Sequence, residues 1–211
     1  MADREAFLAR IRAAQPAPEA LPEVPLFETP AGDLHARFVA ALNLMGGREI
    51  TVQHAGEVRA FIAERFGCEA RIASATPEVE GTRTLDANTP PASLEDIDVG
   101  VVRARFGVAE TGSLWFSESE YVVNSLGYLV QHLVVLLDPA QLVAGLQDAY
   151  RRDDFRAARY AVLVTGPSAT ADIEGVLIQG AQGVRSLTVV WLSAPLGVPV
   201  VSQRDTPVST P

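Results

Sequence analysis

Apolar residues recur at helical spacing through the first third of the chain. Leu34, Phe38, Leu42 and Met45 fall on one helical face, and Gly46-Gly47 supplies the stop. Glu49-Ile-Thr-Val-Gln53 predicts a strand, and Val58, Ile62 and Phe66 form the stripe of a second helix that ends at Gly67. Arg71-Ile-Ala-Ser predicts the next strand. Ahead of these, Phe7, Leu8 and Ile11 give residues 3–14 the pattern of a short amphipathic arm. Four prolines within residues 15–25 then remove the backbone donors that a helix or an inner strand needs, so this stretch reads as an extended linker.

Residues 76–98 are polar and turn-rich, broken by Thr89-Pro-Pro91, and predict a long loop with room for a short helix. Over residues 99–108 the pattern changes to period two. Val102, Ala104, Phe106 and Val108 alternate with Val101, Arg103, Arg105 and Gly107, which predicts one strand with one buried face and both arginines on the wetter side. Ala109-Glu-Thr-Gly-Ser113 turns the chain, and Leu114-Trp-Phe-Ser returns it as a hairpin. Leu133 to Leu137 is a fully apolar strand. Asp138-Pro139 then reads as a cap followed by proline at the first helical position, with Leu142, Val143, Leu146 and Tyr150 on the helix it starts. A strand at residues 160–164, a helix from about Thr170 and a strand at residues 187–192 complete the series. Apolar strands separated by helices predict an α/β fold with a mostly parallel sheet and flanking helices.

Composition suits one soluble globular domain, since 48% of the 211 residues are hydrophobic and 20% charged. The divisions expected are an arm and linker over 1–29, the α/β domain over 30–194 and an extended tail over 195–211. A net charge of -9 and a pI near 4.8, with no basic stripe, argue against nucleic acid as a partner. The one cysteine, Cys68, excludes an internal disulfide and a four-thiolate iron–sulfur cluster, so no cofactor is expected in this chain. His35, His54 and His132 lack a repeated metal-ligand spacing, and no metal is expected. Acidic residues stand where a signal peptide carries its basic region, and no apolar run reaches membrane-span length. A cytoplasmic protein without a membrane span is expected.

Two segments carry candidate chemistry. In Thr165-Gly-Pro-Ser-Ala-Thr-Ala-Asp-Ile-Glu174, a Gly-Pro turn after a strand and a Ser or Thr cap place unpaired backbone donors at the end of the sheet, where open α/β folds commonly bind ligands. The same residues equally suit a capped helix with acidic first-turn residues and Ile173, Val176 and Leu177 buried. The second segment, Glu110-Thr-Gly-Ser113, offers a carboxylate and two hydroxyls on a bend whose glycine permits close backbone approach. A turn chosen for its glycine has the same pattern. The candidate acid/base groups are Glu110 and Asp172. Candidate ligand contacts are Thr111, Gly112, Ser113, Gly166, Pro167, Ser168, Thr170 and Gly183, around a small anionic ligand or partner. No P-loop or GxGxxG pattern supports a nucleotide.

Phe106-Gly-Val-Ala-Glu-Thr-Gly-Ser-Leu114, Gln131-His-Leu-Val-Val135 and Thr165-Gly-Pro-Ser-Ala-Thr-Ala-Asp-Ile-Glu174 followed by Gly180-Ala-Gln-Gly183 together resemble the LUD-domain family, its lactate utilization protein C branch in particular. The resemblance spans roughly residues 30–192. It implies a fold like that of glucosamine-phosphate isomerase, ribose-phosphate isomerase and coenzyme A transferase. It also implies a part in oxidising lactate to pyruvate beside iron–sulfur partner proteins. Other activities open to this fold group are a free-standing isomerase or acyl-transfer enzyme and a non-catalytic assembly protein. The family commonly has Arg where this chain has Ala169, and His-Gly-Pro where it has Gln182-Gly183-Val184. Arg103, Arg105 and Arg185 are the alternative sources of the missing positive charge.

Overall fold

The computed structural model describes residues 3–193 except 18, 21, 24, 26, 28–31 and 173. The expected tail over 195–211 and the expected burial of Ile173 lie outside the described residues. Helix α1 (Arg4–Ala13) is capped by Asp3, whose side chain accepts from the Glu5 amide, and none of its residues is buried. Helix α2 (Leu34–Leu44) is capped likewise by Asp33 and buries Phe38 and Leu42. Strand β1 (Arg48–Thr51), helix α3 (Gly56–Phe66) and strand β2 (Ile72–Ser74) follow, close to their expected positions. The loop beyond carries only a 3₁₀ turn at Pro91–Leu94.

The period-two stretch over 99–108 is two strands rather than one. β3 (Val99–Arg103) joins one sheet and β4 (Phe106–Val108) another, with Ala104 and Arg105 making the crossing. Every residue of β3 except Arg103 is buried, because its sheet is covered on both faces, so the alternation marked a change of sheet. β5 (Ser113–Ser117) pairs antiparallel with β4, as the hairpin reading required. Short helices α4 (Glu118–Tyr121) and α5 (Leu126–Leu129) lead to β6 (His132–Leu137).

Asp138 caps the next turn through Ala140 N, at 2.9 Å, but the helix expected through Leu142 does not form. A 3₁₀ turn at Pro139–Gln141 gives way to β7 (Leu142–Val143), whose neighbourhood is claimed by the β4 side of the sheet. Ala109 N donates to Val143 O at 2.9 Å and Glu110 N to Ala144 O at 3.1 Å. Tertiary hydrogen bonding here overrides helix propensity. Helix α6 (Leu146–Tyr150) starts only after Gly145, and α7 (Asp154–Ala157) precedes β8 (Ala161–Val164).

The helix expected from Thr170 is instead a two-stranded hairpin, β9 (Ala169–Thr170) with β10 (Ile178–Gln179). Gly175 and Gly180 take positive φ, as does Glu174, a backbone state that ends helices rather than extending them. Thr170 Oγ1 accepts from Asp172 N at 3.4 Å within this turn, and Val176 and Leu177 are exposed. The last strand among the described residues is β11 (Ser186–Trp191).

The central sheet has the order β1-β11-β6-β3-β2, with every pairing parallel. Val134 and Leu136 of β6 and Val99 and Val101 of β3 turn to one face, against Val58 and Ile62 of α3. Leu133, Val135 and Leu137 turn to the other, against Phe38 and Leu42 of α2 and Leu114 and Phe116 of β5. The second, mixed sheet, β7-β4-β5-β8, thus shares this face with the helices. Its own outer side buries Phe106, Val108 and Trp115 against Ala149 of α6. The fold is α/β, with a mostly parallel central sheet and flanking helices. Among the described residues no helix is long and apolar enough to cross a membrane.

Candidate functional site

The two chemistry-bearing segments meet. β5 and β8 are antiparallel neighbours, with Leu114 opposite Val164, and this register sets the start of β5 beside the residue that follows β8. Ser113 Oγ lies 2.6 Å from Thr165 Oγ1 and 2.7 Å from Thr111 Oγ1. Ser113 is 2% exposed, so the middle member of this hydroxyl chain is cut off from water. Three hydroxyls bring three protons and the two contacts use two of them. One hydroxyl proton is left over from these two contacts.

The end of α2 seals the space between the bend and the turn. Gly112 has φ +68°, and a Cβ there would lie 2.4 Å from Leu42 N. Gly166 has φ +73°, and a Cβ there would lie 2.2 Å from Met45 O. What approaches both glycines closely is therefore the last turn of α2, an arrangement only glycine permits. Pro167 is buried beside them.

An open cleft of about 500 Å³ results. Glu110, Thr111, Ser113 and Thr165 supply polar groups; Ala41 and Leu44 of α2, its C-cap Met45, Leu146 of α6 and Leu163 of β8 supply apolar ones, and Tyr150 of α6 brings an apolar ring with a hydroxyl. Glu110 Oε2 accepts from Leu146 N at 2.9 Å, which orients the carboxylate at the edge of the cleft. None of the described lining residues is basic, so the anionic ligand expected from sequence would meet a carboxylate and no counter-charge.

The remaining candidates lie elsewhere. Ser168 and Thr170 belong to the β9 arm, where Ser168 N donates to Val184 O at 2.9 Å and Ser168 O accepts from Gly180 N at 2.7 Å. Gly183 packs beside the Ser168 side chain. Asp172 is exposed on the hairpin turn and is not among the lining residues. Thr165, Leu146 and Tyr150 enter the cleft without having been singled out. For Thr165 a signal existed, since it is the hydroxyl at the strand end, next to the turn glycine.

Two of the three alternative arginines are committed to other partners. Arg103 Nε donates to Glu78 at 2.6 Å and its Nη1 to Leu192 O at 3.0 Å. Arg105 Nε donates to Glu120 at 2.8 Å. Arg185 is exposed beside the Gly180 loop. His132 opens β6 at the amino-terminal edge of the central sheet, stacked on Phe66 with ring centroids 4.4 Å apart and 2.8 Å from Ser186 Oγ. Burial, reinforced by the Arg185 and Arg65 charges, holds its pKa below the ordinary histidine value. No group of three or more His, Cys, Asp or Glu residues arranged for a metal occurs among the described residues.

The strands that carry both segments, β4, β5 and β8, lie within one stretch that known proteins share. Residues 90–192 match the LUD domain. The match takes in Glu110, Thr111, Ser113, Leu146, Tyr150, Leu163 and Thr165, while the α2 wall of the cleft precedes it. Among solved structures, a DUF162 family protein from Deinococcus radiodurans is similar, with a TM-score of 0.57 and 17% identity over 75% of this chain and 95% of that one. At that identity the likeness shows the fold alone. No curated protein matches the chain.

Proposed function

We propose that this LUD-domain protein is the component of an L-lactate utilization system that holds no iron–sulfur cluster. In this reading it acts in the cytoplasm, beside iron–sulfur partner proteins that take the electrons as lactate is oxidised to pyruvate. The LUD-domain match supports a lactate-utilization role, and the single cysteine supports placing the clusters on other chains.

The observation that carries the site is the Ser113–Thr165 contact, which makes one cleft of two motif segments 52 residues apart. Within that cleft Glu110 is the group able to accept a proton or hold a polar ligand, and the hydroxyl chain supplies one donor. Asp172 has no place in this arrangement, so the proposed chemistry rests on Glu110. A free-standing isomerase or acyl-transfer enzyme is less well supported, because Glu110 is the sole carboxylate of the lining and no histidine, lysine or cysteine stands beside it there.

Deleting the gene should impair growth on lactate and spare growth on pyruvate. Complementation with the parent sequence should restore growth, and complementation with Glu110→Gln should not. Equal growth of deletant and parent on lactate, in a host with no duplicate pathway, would sink the proposal.

A further inference from the structure

We infer that the cleft takes a cationic group on a short apolar stem, an alkylammonium presented either by a free amine or by a lysine side chain of another protein. The inference rests on the reading of the cleft as a ligand site and specifies what that site recognises.

Donors come first, because an anion needs them. Six backbone N–H groups around the cleft are spent on the protein itself. Thr111 N and Gly112 N both donate to Val108 O, at 3.3 and 2.9 Å, and Glu110 N donates to Ala144 O at 3.1 Å. Gly145 N goes to Asp148 Oδ2 and Leu146 N to Glu110 Oε2, each at 2.9 Å. Met45 N closes the last turn of α2 on Ala41 O at 3.1 Å. With no basic lining residue, the spare proton of the hydroxyl chain and the Tyr150 hydroxyl are the side-chain donors left for an anion, where carboxylate and phosphate sites ordinarily use several charged or backbone donors.

Acceptors, by contrast, are in surplus. Glu110 contributes a carboxylate whose Oε1 has no hydrogen-bond partner among the described residues. The α2 wall is a helix carboxyl terminus, where the peptide dipoles leave partial negative charge, and the last turn of α2 contains no basic residue to offset it. The carboxylate and the helix end face the same space and both favour positive charge.

The apolar part of the lining fixes the rest of the ligand. Leu44 is 86% exposed, Tyr150 52% and Met45 46%, three large side chains left open to water around one carboxylate. A methylene stem laid across them would remove that surface from water while its charged head reached Glu110, the way long cationic side chains divide themselves between apolar and polar surroundings. The chain has no lysine of its own, so the ammonium must come from another molecule.

The test is calorimetric titration of the full-length protein with n-butylammonium, 1-butanol and butyrate, three probes of one size and different charge, at low ionic strength. Butylammonium should bind at least about tenfold more tightly than butyrate, and added salt should weaken it. Glu110→Gln should lower butylammonium affinity by about tenfold with an unchanged circular dichroism spectrum, while Glu64→Gln, on the exposed side of α3, should leave it unaltered. A lysine derivative blocked at both backbone ends separates the two sources. Tighter binding than butylammonium points to a partner's side chain, and equal or weaker binding to a free amine. Butyrate binding as well as butylammonium, or an unchanged affinity in Glu110→Gln, would overturn the cation inference and leave the cleft as a ligand site. No binding by any probe would overturn the ligand-site reading as well.

Discussion

Gly112 and Gly175 form a matched pair for measuring how firmly α2 closes the cleft. Their φ angles are +68° and +70°, so alanine meets the same backbone penalty at both, about 1–2 kcal/mol for a non-glycine residue in the left-handed region. Their surroundings differ completely. A Cβ at Gly175 meets nothing within 4 Å, whereas one at Gly112 would lie 2.4 Å from Leu42 N, 2.7 Å from Leu42 Cα and 2.8 Å from Ala41 C. These are main-chain atoms of a helix anchored by the fully buried Phe38 and Leu42, and no flexible side chain is available to yield. Overpacking of this sort costs about 1–3 kcal/mol. Gly175→Ala should therefore destabilise by about 1–2 kcal/mol and Gly112→Ala by about 2–5 kcal/mol in urea unfolding. Equal losses in the two variants would refute the claim that the bend rests on the α2 backbone. Gly112→Ala should also weaken butylammonium binding, because relief of the clash moves one wall of the cleft away from the other.

Two further outcomes follow from the same geometry. Ser113→Ala removes the middle of the buried hydroxyl chain and leaves Thr111 and Thr165 short of a partner, at a cost of about 1–3 kcal/mol; Thr165→Val should cost similarly, and a double variant whose losses simply add would mean that the two hydroxyls do not interact. Because burial depresses the folded-state pKa of His132, the unfolded chain binds the proton more readily, so its contribution to stability is full above the ordinary histidine value near 6.5 and is lost as pH falls through the folded-state pKa. Thermal melts of parent and His132→Gln between pH 8 and pH 5 should diverge less at the acid end; a constant difference across that range would remove His132 from the acid response.

Helical periodicity revealed α2 and α3 because each buries a single stripe against one sheet face. Unbroken apolar runs revealed β6 and β11 because both are covered on two sides. The errors arose where long-range pairing decides local conformation. Leu142 and Val143 sit at helical spacing with Leu146 and Tyr150, yet pair with Gly107 and Val108 of β4. Alternation over 99–108 persists across a change of sheet, since Val102 packs in the core above the central sheet and Phe106 in the cluster on the outer side of the second. For the site, the Glu110–Ser113 bend was legible as chemistry. Its companion at residues 165–174 was legible only in part: Thr165 reaches the cleft, whereas Asp172 depended on a helix that the chain does not form. The α2 wall was invisible from sequence, because nothing in Ala41, Leu44 or Met45 reports which loop they will face.

The place of β11 in the central sheet bears on how the chain matures on the ribosome. This strand lies between β1, whose register with it runs from Arg48↔Thr188 to Thr51↔Trp191, and β6, with which it pairs over six residues. Until residues 186–191 have been translated, β1 has no neighbour in the sheet and one whole edge of the apolar β6 stands open. Strand edges of that kind recruit whatever extended chain comes near. The central sheet therefore cannot close before residues 186–191 emerge, and until then both edges stay open to other extended segments.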